Sequence, residues 1–287
     1  MNNWKEKGAE GIFYFSAVIS AFVTILILGS MIVMAFPLLS SGGIFNLMTQ
    51  PWDPRQGFYG IYPMLASTTG ISFLSLLFAF PLSLGCASLI SLNGSKLFGV
   101  VLRRIIQLMT GIPTVIYGFI GIFVLVPFIR EFFKTGSGMS LLTGALMLGI
   151  LISPTMILFF LNGFDKVPGS YLDAADSLGA EPVQRLLYVI LPSAKRDILT
   201  GTLLAFGRAS GDTLISLMIA GNAVQVPGSL LDSVRTLTAH IALVIAADYE
   251  SLEFRSIFAC GIILYMFITI IVVAVRRLIF RESEKTE

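Results

Sequence analysis

The chain has 287 residues, of which 55% are hydrophobic and 13% charged, and its mean hydropathy is +0.87. Soluble domains carry about one quarter charged residues, so this composition excludes a water-soluble enzyme and places the chain in a bilayer. A net charge of +2 leaves no basic footprint for nucleic acid.

Crossing about 30 Å of hydrocarbon takes about 20 mostly apolar residues. Six stretches qualify, at 12–36, 64–92, 105–128, 141–161, 198–222 and 254–275, which predicts an all-α, six-span membrane protein. The first run exceeds the 7–15 apolar residues of a signal-peptide core, so it is expected to stay as a span. Residues 1–63 form an N-terminal unit of tail, first span and outer loop; 64–280 form the main transmembrane domain; 281–287 form a tail. The loop between the first two spans carries Gly42, Gly43, Pro51, Trp52, Pro54 and Gly57. That composition predicts an irregular surface turn with Trp52 at the membrane interface.

Cys86 and Cys260 both fall within predicted spans, where a structural disulfide is not expected. The third span opens on GIPTVIYGFIGIFVLVPF, from Gly111 to Phe128. Gly118 and Gly121 allow close helix packing, Pro113 starts or bends the helix, and Thr114 and Tyr117 are candidates to line a polar passage.

Between the fourth and fifth spans, 165–197, the chain turns polar: YLDAADSLGAEPVQRLLYVILPSAKRD. Ser170 and Asp173 are spaced as a capping box, and Gly179 supplies a helix stop, which predicts a short helix over 170–178. Pro182 suits the start of a second helix, with Val183, Leu186, Leu187 and Ile190 on one face and Pro192 at its end. Two short helices with small Ala174 and Ala175 at an elbow make a knob that fits a groove of another protein. The alternative is an amphipathic connection lying on the membrane.

The fifth span holds Arg208 and Asp212 in LAFGRASGDTLISLMIAGN. Each charge costs about 2.5–3.5 kcal/mol at the centre of a span, and the spacing of four puts both on one helical face where they partly neutralise each other. They form either an ion pair that holds helices together or a device in a polar passage. In the second case Arg208 meets an anion and Asp212 orients it, a planar guanidinium being suited to phosphate or carboxylate oxygens. The run SGD also occurs in intramembrane aspartyl proteases, but no second Asp lies deep in another span. In the following loop, 234–247 is too short to span and is expected to be an interfacial or re-entrant helix, with His240 a surface or capping residue. One histidine cannot build a zinc site.

Short loops rich in Lys and Arg stay in the cytoplasm. With the N-terminus inside, the inner segments collect Lys5, Lys7, Lys96, Arg103, Arg104, Lys166, Arg185, Lys195, Arg196, Arg276, Arg277, Arg281 and Lys285. The outer loops collect only Arg55, Arg130, Lys134, Arg235 and Arg255. Both termini and the polar segment are therefore expected in the cytoplasm. No H-E-x-x-H, G-x-S-x-G or G-x-x-x-x-G-K-[ST] motif is present, so no catalytic or metal-binding residue is assigned and any energy from nucleotide must arrive through a partner.

Asp173, Ala174 and Ala175, then Gly179 after three residues, Val189 after nine more, and Leu191 and Pro192 following, resemble the E-A-A, G, I-x-L-P loop of ABC importer permeases. Asp stands for the usual Glu and Val for the usual Ile. The segments from Gly111 to Phe128 and from Leu204 to Leu243 are similar to the phosphate-specific permeases, more to the PstC-type than the PstA-type subunit, with Asp212 where Glu is common. The resemblance implies a type I importer permease fold in the cytoplasmic membrane. It implies that Asp173, Ala174, Ala175, Gly179, Val189, Leu191 and Pro192 form the loop that docks into an ATPase. It also implies a PstA-type permease partner, two ATPase subunits that hold ATP and Mg, and a periplasmic or surface phosphate-binding protein, with surrounding lipid and no cofactor on this chain. Related oxyanions (sulfate, molybdate, phosphonate) and a membrane enzyme or scaffold are the alternatives.

Overall fold

The computed structural model describes residues 3–40, 43–93 and 97–283. Gly42 of the first loop, Lys96 and Lys285 of the charge pattern, and the end of the 281–287 tail lie outside the described residues.

The chain opens with helix α1 (Asn3–Ser40), followed by a short helix α2 (Gly43–Thr49) and a hairpin of β1 (Trp52–Asp53) and β2 (Phe58–Tyr59). The strands pair antiparallel with Trp52 opposite Tyr59, so the loop expected to be irregular is a helix and a hairpin. Its turn rests on Gly57, whose backbone is left-handed at φ 77°. Helix α3 (Tyr62–Leu92) is the second span, and α4 (Leu97–Met109) follows it. Next come α5 (Thr114–Ile120), a π turn over Gly121–Leu125, and α6 (Val126–Phe133), which run on as one helical rod. Helix α7 (Leu141–Asp165) is the fourth span.

The polar segment contains α8 (Gly169–Ser177), α9 (Pro182–Arg185), a π turn over Leu186–Ile190, and α10 (Leu191–Ser193). Helices α11 (Lys195–Gly211) and α12 (Leu214–Ile219) make the fifth crossing, α13 (Leu237–Val244) is the short helix of the outer loop, and α14 (Leu252–Ser283) closes the chain.

Two predicted spans are drawn differently. Residues 105–109 belong to α4, and the third crossing covers 114–133. Pro113 disfavours helical backbone in the residue before it, so the chain breaks there, although hydropathy runs on without a dip. The fifth span, 198–222, is interrupted at Asp212, whose backbone is extended at ψ 129°. The described residues accordingly contain five helices long and apolar enough to cross a membrane, α5 to α6 counting as one.

Helices α3, α7 and α11 pack on one another at the centre, and α1 leans chiefly on α14. Fully buried Ile152, Met156 and Phe160 of α7 anchor the core at the end that carries the polar segment. Ile215 and Ile219 of α12 pack against Leu148 of α7 towards the other end. Lipid tails are as apolar as these side chains, so close packing rather than escape from water holds the spans together. Gly118 and Gly121 serve that packing, because a Cβ on either would run into Met218 or Ile219 of α12.

The helix that Pro182 starts ends at Ser193, one residue past Pro192 as expected, and the turn that precedes this proline recurs elsewhere in the chain. A proline removes an N–H and crowds the carbonyl four residues back. In both places a five-residue π turn ends two positions before the proline, Leu186–Ile190 before Pro192 and Gly121–Leu125 before Pro127. The wider turn absorbs the missing bond; after Pro127 the helix runs on to Phe133, and after Pro192 it ends at Ser193.

Candidate functional site

Arg208 lies in the last turn of α11, and its Nη1 donates to Thr155 Oγ1 of α7 at 3.0 Å. Its side chain is exposed, and Leu204 and Gly211 on the same helical face are exposed too. A Cβ placed on Gly207 or Gly211 would meet nothing within 4 Å. This chain therefore leaves the Arg208 face of α11 uncovered, while the opposite face is closed by Ser210, whose Oγ donates to Ser72 Oγ of α3.

Asp212 is not the partner of that guanidinium. The ion pairs among the described residues join Arg103 to Asp165, Arg130 to Glu131, Lys166 to Asp197 and Arg185 to Asp176. Asp212 instead leaves the helical path at the end of α11, and its Oδ2 accepts the N–H of Ile215 at 2.9 Å. A carboxylate there satisfies a free N–H of α12 and suits the positive end of its dipole. The carbonyl of Asp212 accepts from Thr238 Oγ1 of α13 at 2.7 Å. One residue thus joins α11, α12 and α13, and an ion pair with Arg208 is not among those the described residues form.

Tyr117 is buried, and its hydroxyl donates to the Met109 carbonyl at 3.2 Å, tying α5 to the end of α4. The structure gives it a strut's position, whereas Thr114 at the start of α5 is half-buried. Thr155 carried no sequence signal beyond being a hydroxyl inside an apolar span, and only the packing of α7 on α11 brings it to Arg208.

The polar segment is braced at its base and across its elbow. Lys166 Nζ donates to Asp197 Oδ1 at 2.6 Å, joining its two ends, and Arg185 Nη1 reaches both carboxylate oxygens of Asp176 at 2.9 and 3.1 Å, joining α8 to α9. Gly179 takes φ 79°, and Ala180 N then donates to the Ala175 carbonyl at 3.0 Å, closing α8 with the left-handed stop its glycine predicts. The predicted capping box does not form. Pro168 precedes α8, leaving Ser170 inside the first turn, and Gln184 Oε1 instead accepts the Glu181 N–H at 2.9 Å at the start of α9.

Leu186 and Ile190 are buried in the core, while Val183 and Leu187 stay exposed, so the predicted apolar face is split by the π turn. Val189 and Leu191 are half-buried, and Asp173, Ala174, Gly179 and Pro192 are exposed. Leu178 is 89% exposed and Tyr188 77%. Both are large apolar side chains left uncovered on the braced polar segment.

His240 departs from the expected surface role. It is fully buried in α13, its ring edge-on to Trp52 at 4.3 Å between centroids, and neither ring nitrogen has a hydrogen-bond partner. Burial, with the Arg235 charge adding to it, holds the imidazole down at about 3. It is therefore neutral at ordinary pH and wedges the outer hairpin onto α13. Among the described residues no three His, Cys, Asp or Glu side chains group to hold a metal ion.

Residues 79–284 match the family described as "Binding-protein-dependent transport system inner membrane component". The chain is 33% identical over 232 residues to the "Probable ABC transporter permease protein YqgH" of Bacillus subtilis, covering 80% of this chain and 74% of that one. It is 27% identical over 300 residues to the "Phosphate transport system permease protein PstC" of Mesorhizobium japonicum, covering 96% and 92%. It is 28% identical over 241 residues to the "Probable phosphate transport system permease protein PstC" of Methanocaldococcus jannaschii, covering 76% and 75%. In fold it is similar to an inward-facing structure of the MetNI methionine ABC transporter, with a TM-score of 0.59 at 18% identity over 74% of this chain and 91% of that one.

Proposed function

Since the chain belongs to the family of binding-protein-dependent transport system inner membrane components, we propose that it is the permease subunit of an ATP-driven importer that moves inorganic phosphate across the cytoplasmic membrane. The relatives named as phosphate permeases support the cargo. The observation that carries the mechanism is the uncovered guanidinium of Arg208 within a membrane-spanning core.

An arginine whose hydrogen-bond partner among the described residues is one hydroxyl is costly in hydrocarbon, and a polar passage shared with a second permease removes that cost. A second permease of PstA type stands against the open face of α11, and phosphate passes between the two chains. Arg208 offers it paired N–H donors, with Thr155 holding the guanidinium in place. Asp212 acts on the passage indirectly, by fixing the break between α11 and α12. Thr114 contributes a hydroxyl near the mouth of α5, and Tyr117 braces that helix.

Two ATPase subunits, which hold ATP and Mg, seat the knob formed by Asp173, Ala174, Ala175 and Gly179. Val189, Leu191 and Pro192 carry its movement into α11, with Leu191 packed against the core side chains of α7. A periplasmic or surface phosphate-binding protein delivers cargo at the opposite end, and both termini face the cytoplasm. Reconstitution of the chain with these partners in liposomes tests the reading, since phosphate should stimulate ATP hydrolysis and accumulate inside. Stimulation by sulfate, molybdate or phosphonate in place of phosphate would move the cargo to that oxyanion, whose tetrahedral oxygens fit the same guanidinium.

A further inference from the structure

A cleft between α4 and the adjoining ends of α3 and α7 belongs neither to the Arg208 face nor to the knob. It encloses about 290 Å3 and is lined by Ser91 of α3, Arg103, Arg104 and Gln107 of α4, and Leu161 and Asp165 of α7.

Helix α4 has three faces. Gly99 and Ile106 are buried, with Leu102 and Met109 half-buried beside them in the core. Leu97, Phe98, Val101, Ile105 and Leu108 form a second, outward stripe, each between 44% and 81% exposed. Arg103, Gln107 and Arg104 make the third, polar edge. Arg103 Nη2 donates to Asp165 Oδ2 at 2.6 Å, which matches its charge. Arg104 is exposed and joins no ion pair among the described residues. At helical spacing it adjoins Leu97, Val101 and Leu108, at i−7, i−3 and i+4.

A helix with cations on its polar edge and an apolar stripe beside them, attached to the ends of two spans, has the composition of one lying in the headgroup layer. We propose that this cleft binds the headgroup of an anionic phospholipid. Its phosphodiester rests on Arg104, with Gln107 and Ser91 as neutral hydrogen-bonding neighbours, and its acyl chains run along Leu97, Val101 and Leu108. The stripe decides for lipid over free phosphate, because a small anion has no use for an apolar surface contiguous with the guanidinium. Asp165 lies in the cleft but is already occupied by Arg103, which leaves the net positive charge at Arg104. The site does not depend on which anion the permease transports.

The test uses the chain purified with its partner subunits in lipid discs, either phosphatidylcholine alone or mixed with phosphatidylglycerol, with retained lipid counted by native mass spectrometry. The wild type should retain phosphatidylglycerol over phosphatidylcholine. Arg104→Gln should lose about fivefold of that preference, the worth of one basic residue at an anionic surface. Arg104→Lys should keep it, and Leu108→Gln should weaken it with the charge intact. Equal retention by the wild type and Arg104→Gln, or displacement of the lipid by inorganic phosphate, would overturn the proposal. Should Arg104→Gln fail to assemble, undiminished retention in Leu108→Gln overturns it equally.

Discussion

The carboxylate of Asp212 accepts the backbone N–H of Ile215 at 2.9 Å, so the acid of the fifth crossing serves the start of α12 rather than the guanidinium of Arg208. Asp212→Asn keeps an acceptor oxygen and should leave thermal stability in detergent almost unchanged. Asp212→Ala removes it and should cost about 1 kcal/mol, the usual worth of such a cap. Equal midpoints for the two variants would show that the cap contributes nothing.

Arg208 is held by Thr155 at 3.0 Å on an otherwise open face. Arg208→Gln should assemble normally and lower phosphate uptake by tenfold or more, which corresponds to about 1.4 kcal/mol of lost interaction. Arg208→Lys should fall between, because the charge remains and the planar fork does not. Radiolabelled phosphate uptake by liposomes holding the full complex separates the three, and wild-type uptake in Arg208→Gln would remove the anion role.

Gly179 has φ 79° with open space around it. Gly179→Ala pays only the left-handed strain, about 1–2 kcal/mol, confined to the knob. Gly179→Pro cannot adopt that backbone at all. ATP hydrolysis measured beside uptake should show the proline variant losing both together, and Ala174→Trp, which fills the elbow without touching φ, losing binding of the ATPase subunits.

His240 has an imidazole held at about 3 by burial and by Arg235, against about 6.5 in an unfolded chain. Above 6.5 the ring is neutral in both states and costs nothing. As pH falls from 6.5 towards 3, the unfolded chain takes up a proton that the folded chain refuses. Stability is then lost by up to about 1.4 kcal/mol per pH unit. His240→Phe keeps the contact with Trp52 and should flatten the thermal midpoint between pH 6.5 and 4; an unchanged slope would place the acid sensitivity elsewhere.

The polar segment was legible because its signals are local. Gly179 needs only its own backbone freedom to stop α8, and Pro182 only its fixed φ to start α9. Spans were legible where long apolar runs leave no other solution than helix. Legibility failed where a break is set by one residue inside an uninterrupted apolar run. Pro113 cuts 105–109 away from the third crossing, and the extended backbone of Asp212 divides the fifth. Pro192 was legible too, since the helix ends at Ser193, one residue beyond it.

The sequence by itself determined the membrane environment, the helices and the bend of the knob, because each follows from composition or from conformational limits within a few neighbouring residues. Only the tertiary structure decided that Arg208 pairs with Thr155, that the Asp212 carbonyl meets Thr238, and that His240 is buried against Trp52. Those partners lie 53, 26 and 188 positions away along the chain. Hydrophobic periodicity records which face a helix buries; it does not record which neighbour that face meets, or where a helix stops.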